Sequence, residues 1–145
     1  MTTEILEFTG KYRFLSNFFS CPITVFGHTF KNAEAAFQSQ KCKNPHDAVL
    51  FVDLDASESK RMGRSVSLRE DWEQIKDDIM YRVLVAKFNQ NLDLRAWLLA
   101  TVNAYLVEGN NWGDRYWGKV DGVGTNVLGM LLMHLRGEIK HSLVV

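Results

Sequence analysis

The sequence predicts an α+β fold, a single and predominantly helical domain over residues 1–145 with a small N-terminal antiparallel sheet. Three observations support this prediction. A length of 145 residues is typical of one domain that builds its own core. Short runs in the first thirty residues alternate apolar and polar side chains, as strands do. From Asn32 onward, helix-capping residues and apolar positions at helical spacing follow one another along the chain.

The predicted sheet centres on one hairpin. Ile23–Val25 and His28–Phe30 flank a Phe-Gly pair whose glycine suits a two-residue turn. Glu4–Phe8 is a further alternating run and predicts a short strand. Between these segments, Tyr12–Phe19 reads YRFLSNFF and is expected to form an aromatic loop.

Capping signals divide the rest of the chain into helices. Asn32, Asn44 and Thr125 are predicted N-caps, and Asp55 with Glu58 has the spacing of a capping box for a short helix to Met62. The other predicted elements are helices over Ala33–Lys41, Pro45–Val52, Glu70–Asn89, Asp93–Thr101 and Asn126–Lys140 and a strand over Ala104–Val107. The strongest helical stripe is formed by Trp72, Ile75, Ile79, Val83 and Ala86.

Charge and cysteine content limit the partners and the cellular compartment that we expect for this protein. Lys+Arg and Asp+Glu number 17 each, so the chain has no overall basic charge to attract nucleic acid, although a local patch remains open. Met1–Gly10 lacks the features of a secretory or transit segment, so Cys21 and Cys42 are expected to stay reduced in the cytoplasm. The longest apolar run, Val127–Met133, is too short to span a bilayer, and no membrane partner is expected.

No metal or cofactor is predicted. The sequence contains no CxxC, HExxH or GxSxG motif, and it contains no GxGxxG or P-loop. The four histidines are scattered and are expected to be structural or exposed; they are His28, His46, His134 and His141.

The segment KNAEAAFQSQK, residues 31–41, is the first candidate for chemistry. On a helix, Glu34, Gln38 and Lys41 lie at i, i+4 and i+7 and share one face, with Phe37 beside them. An acid, an amide and an amine aligned in this way can grip and polarise a polar substrate. The alternative is a solvated helix face, which spacing alone favours.

A basic segment, SKRMGRSVSLR, follows. Its cations are Lys60, Arg61, Arg64 and Arg69. Guanidinium groups around Gly63 can bind a phosphate, although charge alone favours a solubilising surface. Trp72 opens the apolar stripe, so core packing is its expected role, but its place in the first helical turn leaves one ring face for a ligand.

Residues 108–118 read EGNNWGDRYWG and combine aromatic rings with glycines. The glycines permit close backbone approach to a ligand, and the rings offer surfaces for stacking a heterocycle. Glu108 and Asp114 add carboxylates. The stretch VDGVGT then leads into the N-terminus of the last helix, which attracts anions. Together these features indicate a site for a heterocycle and a phosphate.

Six motifs occur in a fixed order along the chain. They are FLSNF at Phe14–Phe18, ExxFQxQK at Glu34–Lys41, RMGR at Arg61–Arg64, WxxxK at Trp72–Lys76, WGD at Trp112–Asp114 and NxLGxLLM at Asn126–Met133. In their order and spacing the chain resembles the YbiA-like proteins of the NADAR superfamily, from roughly Phe8 to Arg136.

The resemblance implies an N-glycosidase, a hydrolase that cleaves the bond between an anomeric ribose carbon and a nitrogen. It implies two substrate classes, phosphoribosylated aminopyrimidine intermediates of riboflavin synthesis and ADP-ribose attached to guanine. Carried over by motif, Glu34, Trp72 and Asp114 are the principal functional residues. The residues expected to bind substrate are Asn17, Phe18, Gln38, Arg61, Arg64, Trp112, Gly113 and Trp117.

Two mechanisms are open for this chemistry. In the first, Glu34 or Asp114 stabilises an oxocarbenium-like centre while the other acid activates water or orients the ribose hydroxyls. In the second, the sugar ring opens, a desolvated Lys41 attacks C1′ to form a Schiff base, and Glu34 moves protons. Stacking rings would hold the base and guanidinium groups the phosphate; the residues expected to do so are Trp72, Phe18, Trp112, Arg61 and Arg64.

The chain departs from the family pattern at two places, and alternatives to the metabolite N-glycosidase remain. Ala35 stands where histidine is common, and a short RYWGKVDGVG replaces the longer insert of some relatives, so both affect substrate specificity. The alternatives are an ADP-ribosyl hydrolase that acts on guanine in nucleic acid, a non-catalytic sensor of an ADP-ribose-like metabolite, and an interaction domain whose aromatic residues are all core.

Overall fold

The computed structural model describes residues 2–144, without the Val144 side chain, and these residues form two compact units. Unit 1 consists of Met1–Ser16 with Asp93–Val145, and unit 2 consists of Asn17–Leu92. The elements of the chain are mostly helical, with two small two-stranded sheets, one of them antiparallel. That one domain covers residues 1–145 stays a prediction.

Unit 2 begins with the predicted hairpin. Strand β2, Ser20–Val25, pairs antiparallel with β3, His28–Asn32. Phe26 and Gly27 form the turn with φ of +56° and +80°, a left-handed pair that matches the twist of a two-residue hairpin. Opposed residues Ile23 and Phe30 are almost fully buried, so one face of the hairpin packs into the core of this unit.

Three helices pack in unit 2. Helix α1, Ala33–Ser39, is buried at all seven positions, because it lies against the hairpin, α2 and α3. Helix α2 covers Ala56–Ser65, and helix α3 covers Trp72–Gln90. A 3-10 helix, Pro45–Phe51, replaces the predicted second helix.

The predicted caps of unit 2 are confirmed. The Asn32 side chain accepts a hydrogen bond from the Ala35 amide at 2.7 Å, and Asn44 accepts one from the His46 amide at 3.1 Å. Asp55 and Glu58 form both hydrogen bonds of a capping box. These are local contacts, which sequence spacing alone specifies.

Helix α3 buries a wider stripe than predicted. Trp72, Ile79 and Val83 are buried as expected, whereas Ile75 and Ala86 are only half-buried. The additional buried side chains are Met80, Leu84, Lys87 and Phe88. The stripe is wider because α3 contacts both α1 and β2, so two of its faces are covered.

Unit 1 holds the other elements. Strand β1, Glu4–Ile5, pairs in parallel with β4, Tyr105–Leu106, and both are shorter than predicted. Helix α4 covers Leu92–Ala100, of which Leu92 belongs to unit 2, and helix α5 covers Val127–Val144.

Two predictions in unit 1 are wrong in detail. The first half of the expected aromatic loop belongs to a 3-10 helix over Gly10–Leu15, because Phe14 and Leu15 are buried and turn bonds such as Tyr12 N–H to the Thr9 carbonyl close it. Residues 16–19 lie outside helices and strands, as predicted. Asn126 is not helical: it has φ of +57°, and its side chain donates to the Leu106 carbonyl at 2.9 Å. The helix therefore begins one residue later than predicted.

The two cysteines are buried free thiols. Across residues 2–144, none of the helices combines the length and apolar character needed to cross a membrane.

Candidate active site

The candidate site in unit 2 is built on α1. Glu34 and Gln38 lie one turn apart on this helix, and Lys41 follows it in a turn closed by the hydrogen bond from the Lys41 amide to the Gln38 carbonyl at 3.1 Å. The helix therefore ends at Ser39, two residues earlier than predicted. Lys41 nevertheless interacts electrostatically with Glu34.

Glu34 is a buried carboxylate, with 8% of its surface exposed. Its Oε1 accepts a hydrogen bond from Gln38 Nε2 at 2.8 Å. Its backbone amide donates to the Asn17 carbonyl at 3.0 Å, which ties the start of α1 to the segment before β2. A carboxylate in this position is both desolvated and fixed in orientation, as an electrostatic catalyst needs to be.

Gly63 of the RMGR motif makes room for Gln38. A Cβ at position 63 would lie 1.9 Å from Gln38 Oε1 and 2.7 Å from its Cδ. Gln38 Oε1 is buried without a hydrogen-bond partner, since it faces this glycine rather than a donor. The glycine therefore leaves room for the Gln38 amide between α1 and α2, where Gln38 holds Glu34.

Lys41 is half-buried beside an aromatic wall. Its Nζ lies 5.8 Å from the centroid of the Trp72 ring, and that ring lies 5.1 Å from the ring of Phe37. Burial lowers the pKa of Lys41, the Glu34 carboxylate opposes this shift, and the cations Arg64, Lys60 and Lys76 lower it further. A lysine with a lowered pKa is neutral more often and so is a better nucleophile.

The cations near Lys41 differ partly from those predicted. Arg64 acts on Lys41 electrostatically, as do Lys60 of α2 and Lys76 of α3. Arg61, predicted to bind phosphate with Arg64, is exposed as Arg64 is, but it is not among the cations that act on Lys41. Arg69 forms an ion pair with Asp71 at 2.7 Å. Sequence reasoning named Lys60 among the cations of the basic segment but did not carry it forward as a substrate-binding residue, although it precedes Arg64 by one helical turn. It missed Lys76, although this is the lysine of the WxxxK motif.

Asn17 and Phe18 border this cluster. Asn17 is buried; its Nδ2 donates to Met80 Sδ at 3.3 Å, and its Oδ1 has no hydrogen-bond partner. The Phe18 ring is 45% exposed, and Lys60 Nζ lies 6.0 Å from its centroid. Trp72, by contrast, is only 5% exposed. Phe18 therefore offers a stacking surface, whereas Trp72 mainly forms the wall beside Lys41.

A second group of predicted residues lies in unit 1, in the loop around Asp114. Asp114 Oδ1 accepts hydrogen bonds from the Tyr116 and Trp117 amides at 3.0 and 2.9 Å. The Asp114 amide donates to Asn110 Oδ1 at 3.0 Å, and Asn110 Nδ2 donates back to the Asp114 carbonyl at 2.8 Å. Asp114 thus stabilises the conformation of the loop through its Oδ1 atom.

The aromatic residues of this loop are partly open to solvent. Trp112 is 59% exposed, Trp117 is half-buried with its ring 4.9 Å from that of Tyr116, and Gly113 has φ of +87°. The predicted stacking surface is therefore present at Trp112. That the Asp114 loop and the Glu34 cluster, formed by Glu34, Gln38 and Lys41, serve one site stays a prediction.

The described residues give no sign of a metal centre. Within residues 2–144, no three His, Cys, Asp or Glu side chains are placed to hold an ion. His134 is exposed and lies 2.6 Å from Glu138 on the same helix.

Comparisons with known proteins identify relatives of the whole chain. The model of the NADAR domain matches residues 7–140. The chain is 41% identical over 155 aligned positions to N-glycosidase YbiA of Escherichia coli strain K12, covering 96% of this chain and 91% of that protein. It is 36% identical over 132 positions to riboflavin biosynthesis protein VVA0006 of Vibrio vulnificus, covering 88% of this chain and 35% of that protein.

A solved structure confirms the fold class. The NMR structure of the E. coli protein YbiA matches with a TM-score of 0.87 and 38% identity, and the match covers 99% of this chain and 89% of that one. The α+β class with a helical majority is thus confirmed.

Proposed function

This chain belongs to the NADAR domain family, and we propose that it cleaves the ribose–nitrogen bond of phosphoribosylated aminopyrimidines, the intermediates of riboflavin synthesis. The prediction of an enzyme that hydrolyses N-glycosyl bonds is confirmed by relatives named N-glycosidases. The substrate is our proposal, supported by the name of the Vibrio relative and by the chemistry of unit 2.

The observation that carries the proposal is the buried Glu34 carboxylate, oriented by Gln38 and electrostatically coupled to Lys41. Cleavage of an N-glycoside develops positive charge at the anomeric carbon. A preorganised carboxylate in a site of low dielectric stabilises that charge far more than it would in water. Glu34 fits this requirement, because it is desolvated and its orientation is fixed before substrate arrives.

Lys41 supports a covalent variant of the same reaction. In this variant the neutral amine attacks C1′ of the opened sugar, the C–N bond to the base breaks, and the base leaves with a proton. Water then hydrolyses the imine, which releases the sugar phosphate and restores the amine. The lowered pKa of Lys41 favours the neutral amine that the first step needs.

The cations and rings around this centre suit a phosphorylated nucleoside. Lys60 and Arg64 supply positive charge for a phosphate, whereas Lys76 forms an ion pair with Glu73 at 2.6 Å. The exposed ring of Phe18 can stack on the base. The zero formal net charge favours a small metabolite over nucleic acid. Release of ADP-ribose from modified guanine, in a nucleoside or in nucleic acid, is the competing outcome of the test below.

The test is a substrate panel read by mass spectrometry. The panel holds phosphoribosyl aminopyrimidines, ADP-ribosylated guanosine, NAD and ADP-ribose, each incubated with wild type, Glu34→Gln and the matched control Glu70→Gln, which changes an exposed acid of the same unit. We expect ribose phosphate from the pyrimidines with wild type and Glu70→Gln, and a loss of about a hundredfold or more with Glu34→Gln. ADP-ribose from guanosine alone would move the protein to the ADP-ribosyl hydrolases, and binding without product would make it a sensor.

A further inference from the structure

A separate cavity lies within unit 1. It has a volume of about 470 Å³ and is bounded by β1, the first 3-10 helix, α4 and the turn after α4. This volume falls in the range of small-molecule sites. None of its lining residues belongs to the Glu34 cluster or to the Asp114 loop.

Aromatic side chains form much of the wall. Phe14 and Trp97 pack edge to face with their ring centroids 5.5 Å apart, and Tyr12 adds a third ring. Phe14 is buried, whereas Trp97 is 47% exposed although it is the largest apolar side chain of the lining. An indole held against a buried ring and open on its other side offers a flat surface for a planar ligand.

One part of the wall is positively charged. Lys11 Nζ lies 5.0 Å from the centroid of the Tyr12 ring. A hydrogen bond with the Thr2 side chain and the proximity of Lys11 lower the pKa of Tyr12. The lining residues that the structure describes include no acid to neutralise Lys11. The Tyr12 phenol already pairs with Thr2 and Lys11, so the remaining N–H donors of the Lys11 ammonium are what this wall offers an anionic group.

A buried guanidinium stands behind another part of the wall. Arg136 of α5, 8% exposed, donates to Thr101 Oγ1 at 2.8 Å, and Thr101 lines the cavity. Within residues 2–144, no carboxylate forms an ion pair with Arg136. Buried charges are normally compensated, so this arginine adds to the positive potential near the cavity.

The turn that closes the cavity is strained. Val102, which lines it, has φ of +55°, a conformation that a β-branched residue rarely adopts. The turn is held by hydrogen bonds from the Thr101, Val102 and Ala104 amides to carbonyls three residues earlier. Strain of this kind persists only where the surrounding structure holds it in place.

We propose that this cavity binds a planar aromatic molecule that carries one anionic group, with the ring against Trp97 and the anion near Lys11 and Tyr12. The aromatic wall selects a flat ring. The uncompensated positive charge selects the anion over a neutral molecule of the same shape.

The test follows the tryptophan indole signals by NMR. The chain has four tryptophans, and Trp97→Phe identifies the signal of Trp97. The probe is 2-naphthoate, and the neutral comparison is 2-naphthamide. We expect 2-naphthoate to shift the Trp97 signal saturably and 2-naphthamide to bind about tenfold more weakly, which is the loss of one charge-assisted hydrogen bond.

Lys11→Met provides the decisive variant and Lys119→Met its control. Lys119 also lies over a tyrosine ring of unit 1, 5.7 Å from the Tyr105 centroid, but it does not line the cavity. Lys11→Met should weaken binding of 2-naphthoate about tenfold and leave 2-naphthamide unchanged, and Lys119→Met should change neither. No shift of Trp97 up to about 5 mM probe, equal loss in both variants, or shifts confined to the Trp72 signal would overturn the proposal.

Discussion

Gln38 donates a hydrogen bond to the buried carboxylate of Glu34 at 2.8 Å, and its amide oxygen occupies the space that a Cβ on residue 63 would need. The amide spans the space between α1 and α2, where a methyl group on residue 63 would overlap with its oxygen. The RMGR motif and the ExxFQxQK motif are therefore parts of one arrangement that sets the direction of the Glu34 carboxylate.

Gly63→Ala should disrupt this arrangement. The added methyl group would displace Gln38 and release Glu34, so we expect the free energy of unfolding to fall by about 1–3 kcal/mol and activity to be largely lost. Urea denaturation and product formation measure the two effects. Gly137→Ala is the control, because a Cβ there meets nothing within 4 Å and alanine favours the helix, so stability should rise by about 0.5–1 kcal/mol.

A double variant separates packing from catalysis. Gly63→Ala combined with Gln38→Ala removes the overlap and should recover most of the lost stability, but activity should stay low because nothing orients Glu34. Recovery of activity together with stability would show that Gln38 acts only in packing.

The pH profile of activity should report on Lys41 if the amine is the nucleophile. Because the neutral form reacts, kcat/KM should rise with pH through the lowered pKa of Lys41. Arg64→Met removes a cation that lowers this pKa, so the rising limb should move to higher pH. Arg61→Met changes another exposed arginine of α2, one that is not among the cations acting on Lys41, and should leave the limb in place. If the rising limb of kcat/KM stays at the same pH in Arg64→Met, deprotonation of Lys41 does not control the chemical step.

Trapping with borohydride tests the same lysine directly. Reduction of a working enzyme should add the mass of the reduced sugar phosphate to the protein, and the modified peptide should contain Lys41. Lys41→Arg, which keeps the positive charge, should give no adduct. If the wild-type enzyme forms product but no adduct is trapped, the Schiff-base mechanism is excluded. The oxocarbenium mechanism would then remain, with Glu34 as its electrostatic stabiliser.

How much of this could be predicted depends on the range of the contacts involved. The caps at Asn32 and Asp55 and the Phe26–Gly27 turn are set by neighbours in sequence, and all were predictable. The family motifs pointed to Glu34, Trp72 and Asp114, and the shared helical face pointed to Lys41; their roles stay predictions. The approach of Gly63 to Gln38 joins two helices and leaves no local signal, so that relationship needed the structure.

Charged residues show the same limit. Arg61 and Arg64 look alike in sequence and both are exposed on α2, yet it is Arg64 that acts electrostatically on Lys41. Lys87 reads as a surface lysine near the end of α3, but it is fully buried, because both faces of that helix are covered.

The burial of Lys87 should appear in the pH dependence of stability. Burial lowers its pKa to about 8, below the ordinary 10.5. Between these two pKa values the unfolded chain binds a proton that the folded chain does not, so the free energy of unfolding should rise with pH in that window. Below pH 8 the buried lysine lowers the free energy of unfolding by its full amount. Between pH 8 and 10.5 the free energy of unfolding of the wild type should rise by on the order of 3 kcal/mol more than that of Lys87→Met. Exposed Lys43→Met should show no such difference in urea denaturation across this range.

Asp114 offers a test of whether the loop in unit 1 serves catalysis or only its own folding. Its Oδ1 accepts the Tyr116 and Trp117 amides, and an asparagine can supply the same acceptor without the charge. Asp114→Asn should therefore keep the loop folded, with stability within about 0.5 kcal/mol of wild type, whereas Asp114→Ala should lose about 1–2 kcal/mol. We expect both variants to lose activity, because the proposed function needs the carboxylate itself. Full activity in Asp114→Asn would make Asp114 a residue of loop structure and leave Glu34 as the only acid required.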